Sequence, residues 1–198
     1  MIVGWRNDRC STLQQLATVF LTMLITTHTD LAREIARVSQ LHGEFLLRSG
    51  QISNVYFDKY QFESDPVLLA SIARMAKPLI PEGTQILAGL ELGGVALAVA
   101  LSLESGLPTA LVRKKAKDYG TRRLSEGADV SGKNVLIVED VITSGGQVLL
   151  SGADLRALGA TVSHVLCAID REQGGREALA KEGYHLSSLF TRSQLEAA

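Results

Sequence analysis

The sequence predicts an α/β fold, a mostly parallel twisted sheet flanked by helices. Apolar strand patterns alternate with helical patterns along the chain, as in parallel sheets whose strands are joined by crossover helices. Residues 135–138 form a continuous, mostly β-branched apolar run, which is typical of a strand covered on both faces. A hydrophobic content of 46% in 198 residues is enough for one domain with a sizeable core.

Each element follows from a local pattern. Apolar residues at helical spacing predict a first helix over 30–41, ended by Gly43, and Pro66 suits the first turn of a second helix that ends before Pro81. The later strands are predicted from apolar runs, and the helices between them from helical periodicity. The expected strands are 85–89, 109–112, 135–138, 161–169 and 185–190, and the expected later helices are 95–105, 147–158 and 176–183.

The first 27 residues contain no catalytic candidate. Residues 13–25 are mostly apolar, but the run is too short to span a bilayer and shows no clear cleavage site. An extra helix packed on the domain or on a partner would explain it, and so would a translation start at Met23. We treat residues 1–27 as an extension of unclear role and residues 28–198 as a single domain.

Charge and cysteine content narrow the class of protein. The chain has 20 basic and 21 acidic residues, which gives no support for a nucleic-acid or membrane partner. Cys10 and Cys167 are far apart and the four histidines form no zinc pattern, so no protein metal ligand is assigned. We expect a cytoplasmic protein with two free thiols.

Residues 134–147 predict an anion site at a strand-to-helix turn. They read Asn-Val-Leu-Ile-Val-Glu-Asp-Val-Ile-Thr-Ser-Gly-Gly-Gln. Glycines let the backbone approach a ligand, hydroxyls donate hydrogen bonds, and a helix N-terminus supplies free N–H groups. The two acids just before the turn suit sugar hydroxyls or a metal ion rather than phosphate. A ribose 5-phosphate meets both requirements.

This order of features resembles the phosphoribosyl-diphosphate (PRPP) signature of the type I phosphoribosyltransferases. It differs from a Walker A loop and from a dinucleotide fingerprint. The resemblance implies the type I phosphoribosyltransferase fold, with a small N-terminal hood mainly over 41–62 and a core over 65–190. It implies PRPP contacts along Glu139, Asp140, Val141, Ile142, Thr143, Ser144, Gly145, Gly146 and Gln147.

Two other segments resemble the orotate phosphoribosyltransferase branch of that family. Between residues 43 and 58 the chain has Gly-Glu-Phe, Ser-Gly, an aromatic pair and Asp, and a hairpin is predicted there. Asp-Arg-x-x-Gly-Gly begins at Asp170, and in this branch its arginine, here Arg171, binds the substrate. An arginine fork pairs with a carboxylate, which orotate carries and uracil, adenine and guanine lack. Thr143 is a further orotate-binding candidate.

The aromatic pair in the hood offers a face for the base. A flat pyrimidine needs an apolar surface to stack on, so Tyr56 or Phe57 is expected to bind orotate. Either residue could instead be an ordinary core aromatic.

A cation-rich segment, residues 113–121, begins the long polar connection, through residue 133, between two buried strands. Its four cations within five positions would repel one another without an anion such as pyrophosphate. It resembles the mobile catalytic loop Arg-Lys-x-x-Lys-x-His-Gly of the orotate branch, with tyrosine in place of histidine. Tyrosine can donate a hydrogen bond but is uncharged near neutral pH. The resemblance implies the catalytic residues Lys114, Lys117, Glu139 and Asp140, and PRPP contacts from Arg113, Lys114, Lys117 and Tyr119.

A second turn, residues 90–94, reads Leu-Glu-Leu-Gly-Gly. In the family a turn at this position contacts pyrophosphate, and some orotate enzymes have a lysine there. This chain has only backbone donors to offer.

The resemblance covers roughly residues 31–190. It implies Mg²⁺-dependent transfer of the 5-phosphoribosyl group from PRPP to orotate, giving orotidine 5′-monophosphate and pyrophosphate in de novo pyrimidine (UMP) synthesis. Magnesium would bridge substrate oxygens. A homodimer is implied, with loop 113–121 shared across the interface. The alternatives are a transferase for another base, which Arg171 and the hood argue against, and a PRPP-sensing regulator, which would need a nucleic-acid-binding module.

Overall fold

A six-stranded sheet forms the centre of the structure, a computed structural model that describes residues 25–46, 50, 52–115 and 124–198. The helices are α1 (His28–Ser39), α2 (Tyr60–Ser64), α3 (Pro66–Ala76), α4 (Gly93–Ser105), α5 (Gly146–Ala157), α6 (Gly175–Lys181) and α7 (Arg192–Glu196), with a 3₁₀ turn at Lys77–Leu79. The strands are β1 (Gln40–Leu46), β2 (Ile52–Phe57), β3 (Ile86–Leu90), β4 (Thr109–Val112), β5 (Ser125–Gly127), β6 (Asn134–Ile142), β7 (Thr161–Asp170) and β8 (His185–Thr191).

The predicted α/β class and the mostly parallel sheet are confirmed. The strand order is β5-β4-β3-β6-β7-β8, and all neighbours are parallel except β5, which runs antiparallel to β4. The sequence pattern does not predict β5, because three residues without an apolar run carry no strand signal. In the described part of the chain, no helix is long and apolar enough to cross a membrane.

The sheet has an apolar core on each face. Neighbouring residues of β6 lie on opposite sides, with Leu136 in the cluster that packs against α1, α3 and α4, and Ile137 in the cluster that packs against α5 and α6. This alternation explains why residues 135–138 of the strand are all apolar. Ile25, only 1% exposed, belongs to the first cluster, so the packed domain includes residue 25.

The predicted hairpin is present, but the first helix ends earlier than predicted. β1 and β2 pair antiparallel from Gln40 opposite Phe57, and the register shifts between His42 and Phe45. The predicted helix end at residue 41 and stop at Gly43 are wrong, because helical spacing continues by coincidence into residues whose backbone pairs with β2. The N–H of Asp58 donates to the carbonyl of Ser39 at 2.8 Å and closes the base of the hairpin.

The strand that carries the two acids is longer than its apolar run. β6 continues to Ile142, so Glu139 and Asp140 lie within the strand, and Glu139 is paired in register with Cys167 of β7. The prediction that this strand ends at residue 138 is therefore wrong. Acidic side chains end the hydrophobic pattern, but the backbone ladder does not depend on them.

Candidate active site

Loops at the carboxyl ends of β3, β6 and β7 meet at one edge of the sheet, where open α/β sheets bind ligands. The N–H of Arg171, just after β7, donates to the carbonyl of Ile142 at the end of β6 at 2.8 Å. A Cβ added at Gly175 would lie 2.4 Å from the carbonyl oxygen of Thr143. Only glycine allows this approach, so the start of α6 rests directly on the turn that follows β6.

The turn after β6 has the features of an anion site. Gly145 adopts a left-handed conformation, φ 77°, and serves as the N-cap of α5 without a side-chain capping bond. Thr143, Ser144 and Gly146 are exposed. The Gln147 side chain donates to the Ser151 hydroxyl at 3.1 Å. The turn can thus present two hydroxyls and the first N–H groups of a 12-residue helix.

Asp140 is completely buried and held by two donors. The Lys59 ammonium donates to its Oδ2 atom, and the N–H of Val141 donates to its Oδ1 atom. Glu63 is 9% exposed and lies beside it, whereas Glu139 is partly exposed with a buried Oε2 atom. Three carboxyl groups and one ammonium therefore meet where β6 approaches the turn of residues 143–147.

These carboxyl groups differ in protonation because their environments differ. Burial opposes the charged form of Asp140, but hydrogen bonds from Glu63 and Lys59, with the Lys59 charge, outweigh it and lower its pKa. Burial, reinforced by the neighbouring Asp140, raises the pKa of Glu63 and that of Glu139 to about 9 each. In the free protein at neutral pH, Asp140 is the anion of this group and the two glutamates hold protons.

Two glycines let α4 begin against these acids. A Cβ at Gly93 would lie 1.6 Å from Asp140 Oδ2 and 2.6 Å from Glu63 Oε1, and a Cβ at Gly94 would lie 2.5 Å from the carbonyl oxygen of Val138. The preceding Glu91–Leu92 peptide bond is cis. The backbone of this predicted pyrophosphate turn is thus directly beside the acids.

A cleft of about 440 Å³ lies between the hairpin and the end of β7, and it brings together three predicted orotate residues. Tyr56, Phe57 and Arg171 all line it. The Arg171 guanidinium lies 5.3 Å from the centre of the Phe57 ring, and its Nε atom is buried with no hydrogen-bond partner in the described part of the chain. Burial, followed by the charge of Arg192, lowers its pKa. Thr143, exposed in the turn after β6, does not line this cleft.

The predicted cationic loop is described only at its start. Arg113 is half-exposed, with Nε 4.0 Å from Glu126 Oε1, and Lys114 is exposed. The N–H of Lys114 donates to Glu91 Oε2 at 3.1 Å, which joins this loop to the turn after β3. Lys117 and Tyr119 lie outside the described residues.

Sequence reasoning missed Lys59 and Glu63. Lys59 contacts an acid 81 positions away, and no local pattern reports such a contact. The one feature of the sequence that could have marked Lys59 as a site residue is its position directly after the aromatic pair and Asp58. Arg192 and Glu196, which line the same cleft from α7 and pair at 2.6 Å, were also missed.

The side chains near the site can be compared with the ligands that a metal ion requires. Among the described residues, no group of three or more histidine, cysteine, aspartate or glutamate side chains could hold one. Glu139 and Asp140 place carboxyl groups beside the turn after β6. Such hard oxygen donors are compatible with Mg²⁺ that substrate oxygens, rather than the protein, would hold.

Known proteins are similar to this chain in both sequence and fold. The phosphoribosyl transferase domain family matches residues 60–187. Together with the mostly parallel sheet, this match defines a phosphoribosyltransferase of type I. Orotate phosphoribosyltransferase of Nocardioides sp. is 49% identical over 174 residues, spanning 88% of this chain and 97% of the relative. That of Halobacterium salinarum is 46% identical over 153 residues, spanning 77% and 87%.

Solved structures support the same family assignment. The Mycobacterium tuberculosis orotate phosphoribosyltransferase in complex with PRPP superposes with a TM-score of 0.75 and 28% identity, covering 85% of this chain and 98% of the other. The chain belongs to the orotate phosphoribosyltransferase family.

Proposed function

We propose that this chain transfers the 5-phosphoribosyl group of PRPP to orotate, releasing pyrophosphate and forming orotidine 5′-monophosphate for pyrimidine synthesis. The observation that carries the choice of base is the cleft shared by Arg171, Tyr56 and Phe57. A buried guanidinium nitrogen without a partner favours a carboxylate ligand, since an unpaired buried polar group is costly. Orotate is the pyrimidine base that supplies both a carboxylate and a ring to stack.

The ribose 5-phosphate half of PRPP fits the turn after β6. Residues 143–147, the phosphate turn, would bind the phosphate through hydroxyls and helix N–H groups, as the exposure of Thr143, Ser144 and Gly146 and the uncapped start of α5 suggest. Glu139 and Asp140 would face the ribose hydroxyls. As the bond from C1 to pyrophosphate breaks, positive charge grows on the ring, and the Asp140 anion would stabilise it.

The leaving pyrophosphate would be held from two sides. Backbone N–H groups of Gly93 and Gly94 and the side chains of Arg113 and Lys114 are the described donors. Lys117 and Tyr119, together with Val141 and Ile142 as backbone contacts, complete the proposed PRPP site. Bound Mg²⁺ would neutralise charge on the diphosphate. Catalysis then needs positioning and charge, and no nucleophilic side chain.

We also propose a cytoplasmic homodimer in which residues 113–121 complete the neighbour's site. The resemblance of that segment to the family's catalytic loop supports this assembly, and the buried free Cys167 suits a reducing compartment. Sedimentation analysis of the whole chain should give twice the monomer mass. A strictly monomeric, fully active protein would refute the shared site.

A direct assay tests the reaction. Wild-type protein with PRPP and Mg²⁺ should consume orotate, followed by its ultraviolet absorbance, and release one pyrophosphate per orotate. Adenine and guanine serve as control bases and should remain unchanged. Turnover of a purine but not of orotate would refute the assignment of the base, and PRPP binding without turnover of any base would favour the regulator.

A further inference from the structure

Lys59 connects the hood to the acids of the site. It lies between β2 and α2, two positions after Phe57 of the orotate cleft, and its ammonium bonds to Asp140. The Lys59 side chain is 31% exposed, whereas the Asp140 side chain is 1% exposed. Lys59 is therefore the more exposed partner of the ion pair, and the segment that carries the proposed base-stacking residues also contacts the acid.

The charges around Asp140 explain why this contact matters. Glu63 approaches it from α2 and Glu139 from β6, while α4 contributes only the backbone at Gly93. On β7, burial raises the pKa of the Cys167 thiol, so Cys167 brings no charge at neutral pH. Lys59 brings the opposite charge, and a buried carboxylate without an opposite charge tends to take up a proton.

We propose that Lys59 is a positioning residue for phosphoribosyl transfer, which acts through Asp140 by holding its carboxylate ionised and in one orientation toward the ribose. This inference rests on the proposed function, because it assigns Lys59 a role at the same site. Glu63 supports the arrangement from the other side. Its pKa of about 9 keeps it protonated near neutral pH, so it can donate to Asp140. Lys59 and the Val141 N–H bond directly to the acid, and protonated Glu63 lies beside it.

The first test separates charge from shape. Lys59→Met keeps the length of the side chain and removes the ammonium, Lys59→Arg restores a cation, and Lys77→Met on the exposed 3₁₀ turn is the matched control. We expect kcat of Lys59→Met to fall about 10- to 100-fold, with the KM for PRPP and for orotate changed less than about threefold. Lys59→Arg should recover most of the loss, and Lys77→Met should match wild type.

The pH profile gives a readout that a merely structural role would not move. Without Lys59, Asp140 holds its proton to higher pH, so the acidic limb of kcat should shift upward and part of the lost activity should return near pH 9. A loss that is equal at every pH and is not recovered by arginine would overturn the proposal. So would a Lys59→Met protein with wild-type kcat across the range.

A double variant tests whether Lys59 acts through Asp140. Lys59→Met added to Asp140→Asn should slow the enzyme less than about threefold further, because the group it acts on is already gone. If the double variant instead loses kcat by the product of the two single-variant losses, the two residues act independently and the proposal is overturned.

The double variant also decides the case in which Lys59→Met alone does not fold. A folded double variant with the activity of Asp140→Asn would support the proposal, and an unfolded one would overturn it. Wild-type protein that fails to turn over orotate would instead refute the proposed function, whereas an active wild type with an unaffected Lys59→Met refutes only this inference.

Discussion

Replacing Asp140 with asparagine should lower kcat about 100- to 1,000-fold, the effect typical of losing one preorganised charge at a site where charge develops. The change keeps the shape of the side chain and removes its negative charge. Since substrate contacts of the phosphate turn are untouched, the KM for PRPP should change little. Steady-state kinetics at saturating orotate and PRPP measure both constants. Asp154→Asn, on the exposed face of α5, is the control and should match wild type.

The same substitution should also reduce stability. Asparagine leaves the Lys59 ammonium without its ionic partner, at a cost of about 1–3 kcal/mol in the free energy of unfolding. The pKa of Asp140 is lowered from its usual 3.8, so its stabilising effect is present above pH 3.8 and is lost as the pH falls through the lowered value. Urea unfolding should therefore show a difference in the free energy of unfolding between wild type and Asp140→Asn that is smaller at acidic pH than at pH 7. An unchanged kcat in folded protein would end the assignment of Asp140.

Removing the Arg171 side chain should abolish most use of orotate. Two charge-assisted hydrogen bonds to the carboxylate contribute roughly 3–4 kcal/mol, so Arg171→Ala should lower kcat/KM for orotate about 100- to 1,000-fold. None of residues 143–147 lines the cleft, so the Kd for PRPP, measured by calorimetry, should stay within about threefold.

Two variants control this experiment. Arg171→Lys keeps the charge but loses the planar fork, and an intermediate loss is expected. Arg37→Ala removes an exposed arginine of α1 that pairs with Glu34, and it should leave kcat/KM unchanged. An Arg171→Ala protein that loses PRPP affinity but keeps its KM for orotate would show that Arg171 binds PRPP rather than orotate.

The local parts of this molecule were predictable from the sequence, because local chemistry determines them. An apolar run with acids and a small-residue turn behind it predicted the course of β6 and α5, and Arg171 was expected at the end of a strand. Tyr56 and Phe57 were predicted to face a base, and both line the cleft with Arg171. Each of these features depends on neighbours a few positions away.

Features that depend on distant partners were not predictable. The last residues of β6 are strand because β7 lies beside them, and Leu41 leaves the helix because β2 pairs with it. The ion pair between Lys59 and Asp140 joins residues 81 positions apart, and no periodicity reports it. The raised pKa of Glu63 likewise arises only when folding buries its side chain and places Asp140 beside it.

The close contact at the start of α4 has a consequence for anyone who engineers this protein. Glycine in a helix is usually an opportunity, since exchange for alanine tends to stabilise by reducing the freedom of the unfolded chain. At Gly93 the added methyl carbon would occupy the space of the Asp140 carboxylate, and at Gly94 it would collide with the backbone of β6. An attempt to raise thermostability by replacing helical glycines should therefore leave both positions unchanged. The absence of side chains at these glycines leaves the space that the Asp140 carboxylate and the backbone of β6 occupy.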